Sequence, residues 1–197
     1  HIIGDSKWIG LTNYHTALKE DELFWPSMAR TFYFMAVNVP LGLLGSLLLA
    51  LLLNQGIRGQ SLFRTLYYLP SLTPAAAAAL LWVWILNYDV GLVNHLLRVI
   101  GIAGPPWLGS SQWAIPSIIL ITLWSGMGGS RMVIFLAALQ GVPEELYEAA
   151  DIDGAGRLAK FLHITLPMIS PTMLFNLVLG IIGALQVFTT AYITTKG

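Results

Sequence analysis

Cysteine is absent from this 197-residue chain, which excludes disulfides, thiolate metal sites and thiol nucleophiles. Charge is scarce as well. Asp, Glu, Lys and Arg together make up 10%, whereas soluble domains carry about 25%. That is too little to coat a water-soluble surface, and a lipid solvent removes the need. Ten basic residues balance ten acidic ones, so no net charge points to nucleic acid or to an acidic partner. The four histidines (His1, His15, His95, His163) are scattered without HExxH or comparable spacing. No metal site, cofactor or catalytic residue is expected. A G-x-x-x-x-G-K-[ST] phosphate loop is also missing, so the chain has no ATP site of that type.

What is present is apolar length. The intervals 31–57, 65–88, 99–130 and 161–195 contain no Asp, Glu, Lys or Arg, and the third continues past a single Arg131 to Pro143. A spanning helix needs about 20 mostly apolar residues, so each interval holds one. Spans are expected near 31–53, 67–88, 113–139 and 170–193. A buried helix of a soluble protein would be shorter and show a polar face. The fold class expected is therefore all-α, a polytopic membrane helical bundle.

The remaining segments are polar. Residues 1–26 mix charges with Trp8, Tyr14, Phe24 and Trp25, and such aromatics favour the headgroup level; the segment is expected along the membrane surface. Residues 54–64 form a short link with two arginines. Residues 89–112 contain Gly104-Pro105-Pro106-Trp107, which cannot continue a helix. Alternate loops carry similar numbers of Lys and Arg, so positive charge alone does not orient the chain. There is no initiator methionine at His1 and no apolar run before residue 26; at least one further helix is expected on each side of these residues.

Residues 141–167 carry the strongest signal. Pro143, Glu144 and Glu145 make a helix start, with proline expected at the first helical position and carboxylates at the positive dipole end. Val142, Leu146 and Ala149/Ala150 form a small apolar stripe. Gly154 ends the segment, either as a left-handed terminator or as a point of close backbone approach. Arg157 to His163 can form a second short helix, and Leu166-Pro167 is expected to redirect the chain. A basic amphipathic helix lying on lipid would be rich in Lys and Arg; this one is headed by Glu144, Glu145, Glu148, Asp151 and Asp153.

The spacing Glu148-Ala149-Ala150, three residues, Gly154, nine residues, Ile164-x-Leu166-Pro167 resembles the EAA pattern of membrane subunits of binding-protein-dependent ABC importers. Gly10-Leu11-Thr12-Asn13-Tyr14, Phe63-Arg64-Thr65 with Leu69-Pro70, Gly91-Leu92-Val93-Asn94, Trp107-Leu108, the run 135–143 and the run 192–197 extend the likeness to carbohydrate permeases of the MalF type. The resemblance implies a type I importer permease of MetI-like fold with six spans, four of them here. It places 141–167 in the cytoplasm and the protein in a bacterial cell membrane. It implies a second homologous permease, a cytoplasmic ATPase dimer that hydrolyses the ATP, and an external solute-binding protein. Glu148, Ala149, Ala150, Asp153, Gly154, Ile164, Leu166 and Pro167 would dock the ATPase. The cargo implied is a sugar, oligosaccharide or glycerol-phosphate-like solute, with an amino-acid or peptide cargo as the alternative.

Polar groups inside spans are costly and point to function. Arg131 lies eight residues before Leu139, about 12 Å along a helix, near the membrane middle; it either faces the solute or is neutralised structurally. Gly126, Met127 and Ser130 sit beside it, with small residues that allow close packing or leave room for a sugar, and Trp124 offers a stacking face. Asn38, Asn176 and Gln186 are single amides, and Gln186 and Gly180 gain weight because spans flanking the EAA loop line the solute site in the family. An ion-coupled secondary transporter would need intramembrane carboxylates, and no expected span contains one. An intramembrane enzyme would need a paired nucleophile and base, and the Ser and His residues show no such spacing.

Overall fold

The computed structural model describes residues 8–56 and 58–196, and its regular elements among these are all helical. Residues 1–7 of the expected surface segment, Ile57 in the short link, and Gly197 lie outside the described residues. The rest of that surface segment forms α1 (Thr12–His15) and a π-helical turn, Thr16–Glu20. The indole Nε1 of Trp25 donates to the Leu18 carbonyl at 3.0 Å, tying the turn to the first long helix.

That helix, α2, covers Phe24–Leu53. It starts seven residues before the expected span and carries Arg30 on its second turn, since a charge ends an apolar run without ending a helix. Gln60–Leu72 (α3) and Ala75–Ile85 (α4) replace the expected straight span at 67–88 and are bent by 94°. Pro74 is the cause. A residue before proline is driven out of the helical region, and Thr73 is extended at φ −74°, ψ 128°. The expected 113–139 span is likewise two helices, α6 (Ala114–Gly126) and α7 (Ser130–Gln140), bent by 49° at the glycines 126, 128 and 129. Between the pairs lies α5 (Leu92–Val99), a helix inside the segment expected as a connection.

The chain then forms α8 (Glu144–Ile152), α9 (Arg157–Lys160), a π-helical turn (Phe161–Thr165), α10 (Leu166–Leu185) and α11 (Thr189–Thr195). From Arg157 to Leu185 the run is one 29-residue helix. Pro167 therefore does not redirect the chain as expected. It stands in the first turn of α10, where its missing N–H costs least, directly after the register change of the π turn. The expected 170–193 span ends at Leu185, and α11 follows a break at Gln186–Phe188.

Among the described residues, two helices are long and apolar enough to cross a membrane, and up to four if each bent pair is one span. At the centre stands α2, packed against α10, α7 and α6. Gly42, Gly45, Ser46 and Ala50 recur on its buried face, and such small residues let helices approach closely in lipid. Two apolar clusters result. One joins Leu47, Ala50 and Leu53 to Phe135, Leu139 and Ile169 on the side of the 141–167 loop. The other joins Phe34 and Val39 to Ile118, Ile119 and Ala184 toward the opposite side.

Candidate coupling loop and solute path

The loop between α7 and α10 is built by local rules. Pro143 occupies the N-cap of α8, one position earlier than expected, and Glu144 and Glu145 fill the acidic first turn. At the other end Gly154 has φ +72°. Its N–H donates to the Asp151 carbonyl at 3.1 Å, and the Ala155 N–H donates to the Ala150 carbonyl at 2.8 Å. This pair of bonds is the Schellman arrangement that glycine at this position permits. A Cβ at Gly154 would meet nothing within 4 Å, so within this chain the left-handed backbone, and no close approach, explains the glycine.

Two contacts hold the loop against the membrane helices. The Tyr147 hydroxyl and Thr165 Oγ1 lie 2.8 Å apart, and Thr165 is buried in the π turn. Lys160 Nζ donates to Asp151 Oδ1 at 2.6 Å across the two arms. Of the expected docking residues, Glu148, Ala149, Asp153, Gly154 and Pro167 are exposed, while Ala150, Ile164 and Leu166 are half-buried. Two apolar side chains stand out that the motif does not name. Ile152 is 88% exposed and Leu158 is 70% exposed, at the turn between the arms. Exposure is a tertiary property, and no pattern in the sequence separates them from Leu146 or Leu162.

Within the helices, the expected path residues fall into three places. Arg131, on the first turn of α7, and Gly180 of α10 come together. A Cβ at Gly180 would lie 3.6 Å from Arg131 Nη2, and one at Gly42 of α2 would lie 2.5 Å from Arg131 Nη1. Met127 lies in the same break, its side chain filling the space that a Cβ on Gly45 would need. Trp124 belongs elsewhere: its ring meets Trp82 of α4 edge-on, centroids 5.6 Å apart. Gln186 caps the C-terminal end of α10 with an exposed side chain, Ser130 is exposed at the start of α7, and a Cβ on Gly126 would meet only open space.

The two bends meet. A Cβ on Gly128 would collide with the Tyr67 carbonyl oxygen of α3, and one on Gly129 would lie 2.8 Å from Ser71 Cβ. Glycines there let the end of α3 press against the α6–α7 break. Beside this junction is a cavity of about 350 Å³ lined in part by Ser71, Thr73, Ser125 and Thr190. Broken backbone at membrane depth is tolerated where it lines a polar cavity, and four hydroxyls supply the polarity. Ser71, Thr73 and Thr190 were not among the expected path residues. Pro74 after Thr73 was the available signal, since it predicts the break that opens the cavity.

On the far side from the loop, Asn94 is buried and organises residues 88–107. Its Nδ2 donates to the carbonyls of Tyr88 at 3.1 Å and Pro105 at 3.4 Å, and Trp107 Nε1 donates to its Oδ1 at 2.7 Å. Arg98 is anchored there through Nε and Nη2, which give bonds to the carbonyls of Asn94, Tyr88 and Asp89 at 2.6–3.3 Å.

A family model described as "Binding-protein-dependent transport system inner membrane component" matches residues 42–197. Among curated relatives, the chain is 41% identical over 193 residues to the probable ABC transporter permease protein YesP of Bacillus subtilis, covering 97% of this chain and 62% of that protein. It is 37% identical to the sulfoquinovosyl glycerol transport system permease protein SmoG of Agrobacterium fabrum, covering 98% and 62%. It is 35% identical to the trehalose/maltose transport system permease protein MalF of Thermococcus litoralis, covering 100% and 66%. The chain thus spans somewhat under two thirds of the length of these relatives. A solved bacterial ABC transporter for import of the acidic polysaccharide alginate shares its fold with a TM-score of 0.83 at 29% identity, covering 95% of this chain and 69% of that one.

Proposed function

The chain belongs to the binding-protein-dependent transport system inner membrane components, and from that premise we propose that it is the permease subunit of an ATP-driven importer of sugar-type solutes. The observation that carries this reading is the shape of residues 141–167. A short acidic helix, closed by a Schellman glycine, stands out from the helical bundle and exposes Ile152 and Leu158. Large apolar side chains so exposed on an otherwise polar loop suit a partner surface. The partner is the ATPase subunit, which supplies the hydrolysis that this chain has no P-loop to perform.

The same loop is bolted to the π turn that leads into α10 through Tyr147 and Thr165 and to α9 through Asp151 and Lys160. A push on α8 therefore reaches α10, and through its packing reaches α2 and α7. A second, homologous permease completes the path, and an external binding protein delivers the solute to the side of Asn94. The cargo class follows the relatives named for trehalose/maltose and sulfoquinovosyl glycerol transport, and the alginate transporter, whose solved complex includes a pentasaccharide-bound periplasmic protein.

The test is uptake of labelled oligosaccharides into cells with the gene for this protein deleted. Restoring the gene should restore ATP-dependent uptake of at least one saccharide, and an ATPase partner without hydrolytic activity should abolish it. Uptake that survives loss of the ATPase, or that follows an ion gradient instead, would overturn the proposal.

A further inference from the structure

We propose that Arg131 selects the cargo, favouring a saccharide that carries a carboxylate or other anionic group; the inference rests on the importer reading above. Arg131 lies between the two apolar clusters of the bundle. Its neighbour Met132 belongs to the cluster on the loop side, while Gly180 lies four residues, one turn, before Ala184 of the other cluster. Its guanidinium is seated against Gly42 of α2, where any larger residue would run into it, and reaches to within van der Waals contact of the space beside Gly180 of α10. The sequence thus keeps a space for this one charge at mid-depth.

Other unmet polar groups share that layer. Ser46 lies four residues after Gly42 and Asn176 four residues before Gly180, so each shares a helix face with the glycine that contacts Arg131. Both are buried, and Ser46 Oγ and Asn176 Nδ2 have no hydrogen-bond partner. A guanidinium, a hydroxyl and an amide NH₂ form a set rich in donors. What such a set lacks is an acceptor with negative charge, and the planar guanidinium matches a carboxylate in two-point geometry.

A purely structural arginine looks different in this protein. Arg98 directs Nε and Nη2 to three backbone carbonyls. Arg131 has no ion pair among the described residues and is half-buried. It is the one basic side chain in the helical stretch 114–140, and the carboxylates nearest in sequence are Glu144 and Glu145, beyond the far end of α7.

The experiment uses the complete transporter, with its paired permease, ATPase subunits and binding protein, in sealed vesicles. The probes are trigalacturonate, its methyl ester of the same size without charge, and neutral maltotriose. The unaltered complex is expected to take up the acid at least tenfold faster than the ester. Arg131→Gln, checked for assembly by co-purification, should lower acid uptake tenfold and ester uptake less than twofold, and Arg131→Lys should keep part of the preference. Equal uptake of acid and ester by the unaltered complex, or equal loss of both in Arg131→Gln, overturns the anionic selection and leaves the importer reading standing. If none of the three saccharides is taken up, maltotriose included, both are overturned. The acid-to-ester ratio of the unaltered complex decides the matter even where Arg131→Gln fails to assemble.

Discussion

Gly154 separates two roles that one residue can serve in the coupling loop. With φ +72° it occupies the left-handed region, where an ordinary L-residue costs about 1–2 kcal/mol and asparagine less. A Cβ there meets nothing within 4 Å, so Gly154→Ala introduces no clash within the chain and its whole cost is conformational. Since 1.4 kcal/mol is about a factor of ten, alanine should lower the population of the closed cap, held by the Gly154 and Ala155 N–H bonds, roughly tenfold. Gly154→Asn restores the backbone preference but adds a side chain on the outer surface next to Ile152. If an ATPase subunit seats on this turn, asparagine keeps the cap and still loses the partner. Two assays divide the effects: proteolytic protection of residues 144–160 reports the cap, and co-purification of the ATPase reports docking. Alanine should reduce both, whereas asparagine should reduce only co-purification. Full recovery of co-purification in Gly154→Asn, or unchanged assembly and uptake in Gly154→Trp, would refute contact at this turn.

Other outcomes follow from the same geometry. Phe135→Ala removes the largest fully buried side chain from the loop-side cluster, and should destabilise the bundle by about 3–5 kcal/mol, measured by thermal aggregation in detergent. Asn94→Ala breaks three bonds around residues 88–107 and leaves the Trp107 N–H without its acceptor, at about 1–3 kcal/mol; protease cleavage of that segment should accelerate while the membrane helices stay intact. Lys160→Ala should cost no more than about 1 kcal/mol, since Asp151 is 62% exposed; a larger loss of stability would show that the pair is more than a surface bridge.

The spans were legible in the sequence because lipid leaves few ways to place a charge, so intervals free of Asp, Glu, Lys and Arg mark membrane helices without reference to packing. The helical shape of residues 141–167 was legible because caps are local: Pro143, the two glutamates and Gly154 each act within a few residues. The breaks were less so. Pro74 forces Thr73 out of the helix by a local rule, but membrane helices tolerate proline, so a run with no charge reads as one span. The small residues beside Arg131 read as close packing or as room for a sugar, and a bend was not foreseen; the helix bends there, and Gly128 and Gly129 also pack closely, because the α3 backbone at Tyr67 presses into the break. The depth of Arg131 could be counted along the chain. Its seat between Gly42 and Gly180 depends on three helices far apart in sequence, and no spacing records it.

The central claim is that residues 141–167 transmit ATP hydrolysis to the membrane helices, and cysteine chemistry tests it directly because the chain has no native cysteine. Ala149→Cys or Ile152→Cys in the assembled complex should cross-link to the ATPase subunit, with a yield that changes on adding ATP. Gly156→Cys should react with an impermeant reagent only from the cytoplasmic side. Labelling of position 156 from outside intact cells, together with no cross-link from either exposed position, would contradict the account.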